Sequence, residues 1–237
     1  MPAIHAQRVL ITGANRGIGL EFVRQLLARG DRVIAACRNP GRALKLTELA
    51  GAYPGRLHVL PLDLDKERSI AGFARETGTL GETLDVLINC AGVLVSGERF
   101  GELVAKTFDE TLHTNVVGPL LLTQALAPLL ARSSHARVVN VSSDLGSLAD
   151  TVHFHTPSYA VSKAALNMVT RLTAAELAPR GIVVVSLHPG WVRTDMGGAG
   201  APLTPTESVG GMLRVIDGLK AADSGGYMDH RGVTMAW

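Results

Sequence analysis

The chain contains six short apolar segments, and each is followed by a longer stretch of helical periodicity. They are rich in Val, Ile and Leu, and they lie at 8–12, 31–37, 56–62, 84–90, 136–142 and 181–187. Polar residues rarely alternate with the apolar ones, which is typical of parallel strands buried on both faces by helices. The pattern predicts an α/β fold with a doubly wound parallel sheet.

The stretches between the apolar segments predict the helices that cover this sheet. They lie at 17–29, 40–50, 66–77, 101–131, 157–179 and 205–220. A short run at 225–229 predicts a last strand, which gives about seven strands in repeated βαβ units. Because no linker or low-complexity tract interrupts them, we expect residues 1–237 to form one domain. The Gly- and Pro-rich segment 195–206 predicts a mobile loop.

Composition narrows the class of protein and its partners. With 237 residues, 46% of them hydrophobic, the chain can bury a core without disulfides or a structural metal. A net charge of +2 and an aromatic content of 4% argue against a nucleic-acid partner. The apolar runs are shorter than the roughly 18–20 residues of a membrane span, and the start MPAIHAQRVLITG has no signal-peptide pattern. We therefore expect a cytoplasmic protein with no membrane partner.

The first apolar segment is followed at once by TGANRGIG, residues 12–19, in which Gly13, Gly17 and Gly19 open a helix. Glycines let the backbone turn sharply and approach a pyrophosphate, and the N–H groups of the helix N-terminus face its charge. The spacing is GxxxGxG rather than the commoner GxGxxG. Its place between a strand and a helix nevertheless predicts the dinucleotide-binding turn of a Rossmann fold.

The end of the second segment indicates which dinucleotide is bound. NAD enzymes place a carboxylate there for the ribose 2′-hydroxyl, whereas this chain has Cys37-Arg38. Arg38, joined by Arg16 from the glycine loop, suits a 2′-phosphate, since a charge-assisted hydrogen bond contributes about 1.5–3 kcal/mol. The sequence predicts a preference for NADP(H); the alternative is that both arginines are solvated surface residues.

Tyr159 and Lys163 are four residues apart in a helical stretch and therefore share one helix face. An ammonium about 4 Å from a phenol favours the phenolate by about 4 kcal/mol at an effective dielectric of 20, or roughly three pKa units. The pair predicts a tyrosine that exchanges protons near neutral pH. Taken alone, the spacing is better explained by a half-buried tyrosine beside a solvated lysine.

The order of these motifs, together with several polar residues at predicted strand ends, resembles the short-chain dehydrogenase/reductase superfamily over nearly the whole chain. The further matches are Asp63, the segment 89–92 (Asn-Cys-Ala-Gly), Asn115, Ser142-Ser143 and Pro189-Gly190. GANRGIG, LHPGWVRTDMGG and APLTP with a Met-Asp ending near the last Trp are similar to the C-factor/sniffer-like carbonyl reductase group.

The resemblance implies NADPH-dependent reduction of an aldehyde or ketone carbonyl. Tyr159 would protonate the carbonyl oxygen, Ser143 would hold it, and Lys163 would lower the tyrosine pKa and bind the nicotinamide ribose. Asn115 would complete the tetrad with a water-linked proton path. The residues implied to contact the cofactor are Gly13, Asn15, Arg16, Gly17, Ile18, Gly19, Arg38, Asp63, Leu64, Asn89, Ala91, Gly92, Tyr159, Lys163, Pro189, Gly190, Val192 and Thr194.

Some features stay outside this pattern or leave alternatives open. Cys90 replaces the family's usual Asn, and His153-Phe154-His155 lies in a longer interval before Tyr159 without the third ligand of a metal site, so no metal is expected. His188 is predicted to be strand-end structure. The resemblance implies a homo-oligomer, a dimer or tetramer, formed through helices 101–131 and 157–179. Two other functions remain: a cofactor-binding regulatory or signalling protein with little turnover, and an NAD-dependent alcohol or steroid dehydrogenase.

Overall fold

The computed structural model describes residues 6–237, and within them seven parallel strands form one sheet. The strands are β1 Arg8–Thr12, β2 Arg32–Cys37, β3 Leu57–Pro61, β4 Val86–Asn89, β5 Arg137–Val141, β6 Val183–His188 and β7 Tyr227–Asp229. Their order, β3-β2-β1-β4-β5-β6-β7, reverses direction between β1 and β4. In open α/β sheets, the carboxyl ends of the strands at such a reversal border the ligand crevice.

The helices cover both faces of the sheet. They are α1 Gly17–Arg29, α2 Leu44–Ala52, α3 Glu67–Thr79, α4 Ala105–Leu112, α5 Gly118–Leu130, α6 Pro157–Leu177 and α7 Pro205–Gly218. Neighbouring strand residues point to opposite faces, so Val9 packs in the core under α1 and α7, whereas Leu10 packs in the core under α3, α5 and α6. The predicted doubly wound α/β fold is confirmed, including the seventh strand.

The segment predicted as one helix over 101–131 is instead divided. It forms α4, a π-helical turn at His113–Val117 and then α5. Pro119 follows the turn and cannot donate a backbone hydrogen bond to the preceding helix. A Cβ on Gly118 would lie 2.7 Å from the Cβ of Leu64, so α5 packs directly against the β3–α3 connection at this point. Single π-turns of this kind often occur at functional sites, and this one carries Asn115.

Other predicted boundaries shift by a few residues. The helix predicted over 40–50 begins as a 3-10 turn at Pro40–Arg42 before α2, because Pro40 starts a tight turn. The segment 195–206 is irregular up to Thr204, which caps α7 through a reciprocal capping box with Glu207. Its mobility stays a prediction. None of the helices within residues 6–237 has the length and apolar character needed to cross a membrane. The prediction that no signal peptide is present concerns a start whose residues 1–5 lie outside the described residues.

Candidate active site

A cleft of about 950 Å³ opens at the carboxyl ends of the strands. The glycine loop, the ends of β2, β5 and β6, and the first turns of α6 contribute to its wall. The predicted site residues that line it are Gly13, Asn15, Arg16, Gly17, Ile18, Gly19, Arg38, Asp63, Leu64, Ala91, Gly92, Ser143, Tyr159, Lys163, Pro189, Gly190, Val192 and Thr194. Of the described residues in the predicted set, Asn89 and Asn115 stand behind this wall.

The glycine loop has little room for side chains. Gly13 and Gly17 have φ angles of +66° and +54°, in the left-handed region that favours glycine. A Cβ on Gly19 would lie 2.4 Å from the Gly13 carbonyl oxygen. The Thr12 hydroxyl accepts hydrogen bonds of 3.0 Å from the backbone N–H groups of Cys90 and Ala91, which joins the ends of β1 and β4. At its three glycines the loop therefore has no side chain to keep a ligand from approaching the backbone.

One end of the cleft carries positive charge. Arg38 follows β2, and Arg42 lies on the 3-10 turn directly after it. On the facing connection, Asp63 forms an ion pair of 2.7 Å with Lys66, whose hydrogen bond keeps the pKa of that carboxyl below its usual range. The sequence prediction missed Arg42, although a second arginine four residues after Arg38, on a Pro-Gly turn, was the available signal.

Arg16 does not join Arg38 in this structure. Its guanidinium forms an ion pair of 3.0 Å with Asp195, on the connection after β6. Both side chains are largely exposed, so the pair contributes little to stability. The expectation that Arg16 and Arg38 together bind a phosphate therefore stays a prediction: both line the cleft, but here Arg16 pairs with Asp195, and Arg42 is a further cation close to Arg38 in the chain.

At the other end of the cleft, three of the four predicted catalytic groups line the wall, and the fourth, Asn115, lies directly behind it, next to Gly92. Tyr159 and Lys163 lie on the first turns of α6, and both are more than nine-tenths buried. The Lys163 Nζ atom is 5.4 Å from the centre of the Tyr159 ring and donates a hydrogen bond of 2.8 Å to the Val141 carbonyl. Ser143 follows β5, and its hydroxyl donates to Asp144 Oδ1 at 3.0 Å.

Burial reverses the expected pKa shift of Tyr159. Its pKa is raised to about 12, chiefly because burial disfavours the phenolate; the hydrogen bond with Ser143 acts in the opposite direction but is weaker. Burial also lowers the pKa of Lys163 to about 8. The sequence estimate counted only the attraction of an ammonium about 4 Å away and left out burial, whereas both groups are buried in the structure. At neutral pH Tyr159 is therefore a protonated phenol.

The two serines after β5 have different partners. The Ser142 hydroxyl is buried and donates to Asn167 Oδ1 at 2.7 Å. The Ser143 hydroxyl stays at the cleft wall beside Tyr159. The Tyr227 hydroxyl, from β7, donates to the Ser143 carbonyl and fixes the turn from the other side. This arrangement supports the choice of Ser143 over Ser142 as the hydroxyl that meets a bound ligand.

The two asparagines have positions that the motif alone does not give. Asn115 accepts from the Val93 N–H at 2.8 Å and donates to the Val93 carbonyl and to the Ser162 hydroxyl, each at 2.9 Å. Its side chain therefore ties α6 to the connection after β4. The Asn89 side chain was predicted to line the cofactor site. It is instead buried on one face of the sheet, where it donates a hydrogen bond of 2.8 Å to Asn140 Oδ1. As the last residue of β4, its side chain follows the strand alternation away from the cleft.

Several other residues of the cleft wall were singled out in the sequence. The His188 Nδ1 atom accepts from the Asp144 N–H at 3.1 Å, and burial lowers the pKa of this imidazole, as suits a structural residue at a strand end. Burial raises the pKa of the Cys90 thiol to about 12, which leaves it protonated. Phe154 and His155 line the cleft. Across the described chain, no three His, Cys, Asp or Glu side chains are grouped as a metal site requires.

Burial of Lys163 predicts a pH-dependent cost in stability. Its pKa falls from 10.5 to about 8, so at pH 7 the folded state carries a cost of up to about 3 kcal/mol. Lys163→Met should raise the free energy of unfolding at pH 7 by about 2 kcal/mol, because loss of the bond to Val141 offsets part of the gain. The gain should shrink as the pH rises from 8 to 10, where the unfolded state still binds the proton and the folded state does not.

Urea denaturation at pH 7 and at pH 9.5 checks this prediction. Lys106→Met is the matched control, because Lys106 lies on α4 with a side chain 80% exposed. It should leave the free energy of unfolding unchanged at both pH values. A Lys163→Met protein that is less stable than wild type at pH 7 contradicts the argument.

Comparison with known proteins agrees with this geometry. Residues 7–201 match the family model described as short chain dehydrogenase. The chain is 45% identical over 154 residues to the protein named C-signal from Myxococcus xanthus, covering 65% of this chain and 93% of that protein. It superposes on the crystal structure of an NADPH-bound carbonyl reductase from chicken fatty liver with a TM-score of 0.94 and 40% identity, covering 99% and 100% of the two chains.

A second solved structure shows the same relation. The carbonyl reductase Sniffer of D. melanogaster superposes with a TM-score of 0.94 at 34% identity, over 98% of this chain and all of the other. The family model spans most of the 237 residues, and each of the two structures covers at least 98% of the chain. The chain therefore belongs to the short-chain dehydrogenase family, in the group that includes the Sniffer-like carbonyl reductases.

Proposed function

We propose that the protein reduces the carbonyl group of an aldehyde or ketone to an alcohol, with NADPH as the hydride donor. The observation that carries the proposal is the division of one cleft. Tyr159, Ser143 and Lys163 meet at one end, and a glycine loop and two arginines lie at the other. The chicken relative described above is a carbonyl reductase with NADPH bound, which supports both the cofactor and the reaction.

The residues present fit this cofactor. A Cβ at Gly13 or Gly19 would clash with the backbone of Ala91 or of Gly13, so glycine is needed for the tight turn, and the first turn of α1 would present N–H groups to a pyrophosphate bound there. Arg38 and Arg42 suit a 2′-phosphate, and Asp63 and Leu64 would border the adenine. Along the rest of the cleft, Ala91, Gly92, Pro189, Gly190, Val192 and Thr194 would hold the nicotinamide half. When bound, NADPH supplies the hydride.

The chain's own residues then handle the proton. A Tyr159 phenol with a pKa of about 12 is fully protonated at neutral pH and can donate to the carbonyl oxygen. The Ser143 hydroxyl is placed to donate a hydrogen bond to the same oxygen, where negative charge develops. Lys163 has a pKa of about 8, and in its ammonium form it stabilises the phenolate that remains. At neutral pH the phenol has the protonated form from which reduction starts, and use of NADPH as the donor favours reduction as the working direction.

Consumption of NADPH with a panel of aldehydes and ketones tests the proposal. We expect turnover with NADPH and a kcat/KM at least about 10-fold lower with NADH, because NADH lacks the phosphate that the arginines bind. Comparable kcat/KM values for the two cofactors would contradict the preference for NADP(H). Cofactor binding by fluorescence, measured in parallel, distinguishes an inactive binder from a protein that does not bind nucleotide.

A second candidate function is a nucleotide-binding regulatory protein with little turnover. The similarity to a protein named C-signal favours it. Convergence of Tyr159, Ser143 and Lys163 argues against it, since nucleotide binding alone does not need a phenol and a serine hydroxyl that meet at one point beside the lysine. Tight NADPH binding without reduction of any carbonyl in the panel would support this second candidate. An NAD-dependent dehydrogenase is disfavoured by Arg38 at the end of β2.

We also propose that residues 1–237 act as one domain in a cytoplasmic homo-oligomer. Apolar side chains on the outer faces of α5 and α6 support the assembly, among them Leu120, Val161, Met168 and Leu172, which are 38–64% exposed. Cys37 and Cys90 are free thiols, as suits a reducing compartment. Light scattering at micromolar concentration should give a mass of at least twice 25.0 kDa. A monomer mass would contradict the homo-oligomer.

A further inference from the structure

Helix α6, which carries Tyr159 and Lys163, begins in a strained conformation. Its N-cap residue, Thr156, has φ +41° and ψ +57°, in the left-handed region that β-branched residues rarely adopt. The Thr156 hydroxyl contacts His155 Nδ1 at 3.3 Å, rather than an N–H group of the helix. The first turn thus receives no cap from the residue that usually supplies one, three positions before the proposed acid.

A carboxylate from a distant part of the chain supplies the cap instead. Glu98 Oε2 accepts a hydrogen bond of 2.7 Å from the Ser158 hydroxyl and one of 3.2 Å from the Ser158 backbone N–H. Ser158 is fully buried and directly precedes Tyr159. A carboxylate at this place satisfies an N–H group of the first turn and interacts favourably with the helix dipole. The other oxygen, Oε1, is enclosed by the protein.

Glu98 lies on the connection between β4 and α4, which continues from the Cys90–Gly92 segment along the cleft wall. Glu98 and its neighbours Leu94, Ser96 and Gly97 line the cleft, as do Phe154 and Trp191. The Glu98–Ser158 contact therefore joins the wall that a substrate would meet to the helix turn that carries the proton donor.

We propose that Glu98 is a positioning residue for Tyr159, which fixes the first turn of α6 so that the phenol stays beside Ser143. The inference rests on the proposed function and deepens it. Catalysis by a positioned acid is sensitive to displacement, since a shift of about 1 Å can lower a rate by roughly 100-fold. Glu98 makes its contact with Ser158, outside the cofactor end of the cleft, so its loss should leave NADPH binding unchanged.

Three variants test the proposal. Glu98→Ala removes both acceptor bonds and should lower kcat about 10-fold, with KM for the carbonyl and Kd for NADPH within about 2-fold of wild type. Glu98→Gln keeps an oxygen that accepts both bonds, and should retain kcat within about 3-fold. Glu102→Ala is the matched control, since Glu102 is an exposed carboxylate on the same connection, and should behave as wild type.

A second measurement does not depend on turnover. The measurement is a pH titration, followed by NMR, of protein with isotope-labelled tyrosines. Tyr159 of the wild type should remain protonated up to pH 11, since its pKa is about 12. In Glu98→Ala the loosened turn admits water, so the Tyr159 resonance should begin to titrate below pH 11. In Glu98→Gln, which also lacks the charge but keeps the cap, the resonance should remain as in wild type.

The outcomes separate this inference from the proposed function. Wild-type kcat in Glu98→Ala, an effect on KM alone, or equal impairment of Glu98→Gln and Glu98→Ala would each overturn the positioning role. If the wild-type protein reduces no carbonyl, the proposed function fails. The titration of Tyr159 then still shows whether Glu98 holds the first turn of α6. A Glu98→Ala protein with an unchanged Tyr159 titration then overturns the inference.

Discussion

Tyr159→Phe is expected to lower kcat for carbonyl reduction by about 1,000-fold while NADPH affinity stays within about 2-fold of wild type. Phenylalanine keeps the ring that packs below the Lys163 ammonium and removes one hydroxyl. The carbonyl oxygen then has no acid, and the Ser143 hydroxyl alone can donate a hydrogen bond to it. Because Tyr159 is only 8% exposed as a residue, few water molecules can reach this position to act as the proton donor instead.

Single-turnover kinetics with bound NADPH measure this effect directly, because they exclude product release. Tyr53→Phe is the matched control: Tyr53 lies at the end of α2, below the Arg56 guanidinium and away from the cleft, and its loss of a hydroxyl should leave kcat unchanged. A Tyr159→Phe protein that folds, binds NADPH and reduces carbonyls at the wild-type rate would remove Tyr159 from the mechanism.

The parts of the fold that could be predicted from the sequence are those determined by local patterns of apolar residues and glycines. Strands such as Arg8–Thr12 and Arg137–Val141 are near-continuous apolar runs, and each matches a predicted segment to within a residue at each end. Helix Gly17–Arg29 has the bounds predicted, since the glycine loop and Gly30 mark its two ends. These signals lie within a few residues of the structure that they specify, so a single sequence suffices to read them.

The features that sequence missed depend on contacts between distant residues. The π-turn at Asn115 accompanies the close approach of Gly118 to Leu64, more than 50 positions earlier. The cap on α6 joins Glu98 to Ser158 across 60 residues. The pKa of Tyr159 was predicted in the wrong direction because its burial is a property of the assembled site, not of the Tyr-Lys spacing. The motif predicted that Asn89 lines the cleft, whereas its position on β4 turns the side chain toward Asn140 on one face of the sheet.

The double variant Arg38→Ala/Arg42→Ala is expected to lower kcat/KM for NADPH by about 100-fold and to leave kcat/KM for NADH within about 3-fold. Each guanidinium that binds the 2′-phosphate should contribute roughly 10-fold, since about 1.4 kcal/mol corresponds to that factor. Both side chains lie at the end of the cleft opposite Tyr159, so kcat at saturating NADPH should change little. The loss should therefore appear in KM for NADPH.

Steady-state kinetics with both cofactors provide the measurement, and two single variants sharpen it. Arg16→Ala should reduce kcat/KM for NADPH less than Arg38→Ala does, because Asp195 already pairs with Arg16. Arg75→Ala, at an exposed position on α3 outside the cleft, should leave both cofactors unaffected. If the double variant keeps the preference for NADPH, the 2′-phosphate is not held by Arg38 and Arg42; an Arg16→Ala protein that loses the preference would then assign that role to Arg16, released from Asp195 by the bound nucleotide.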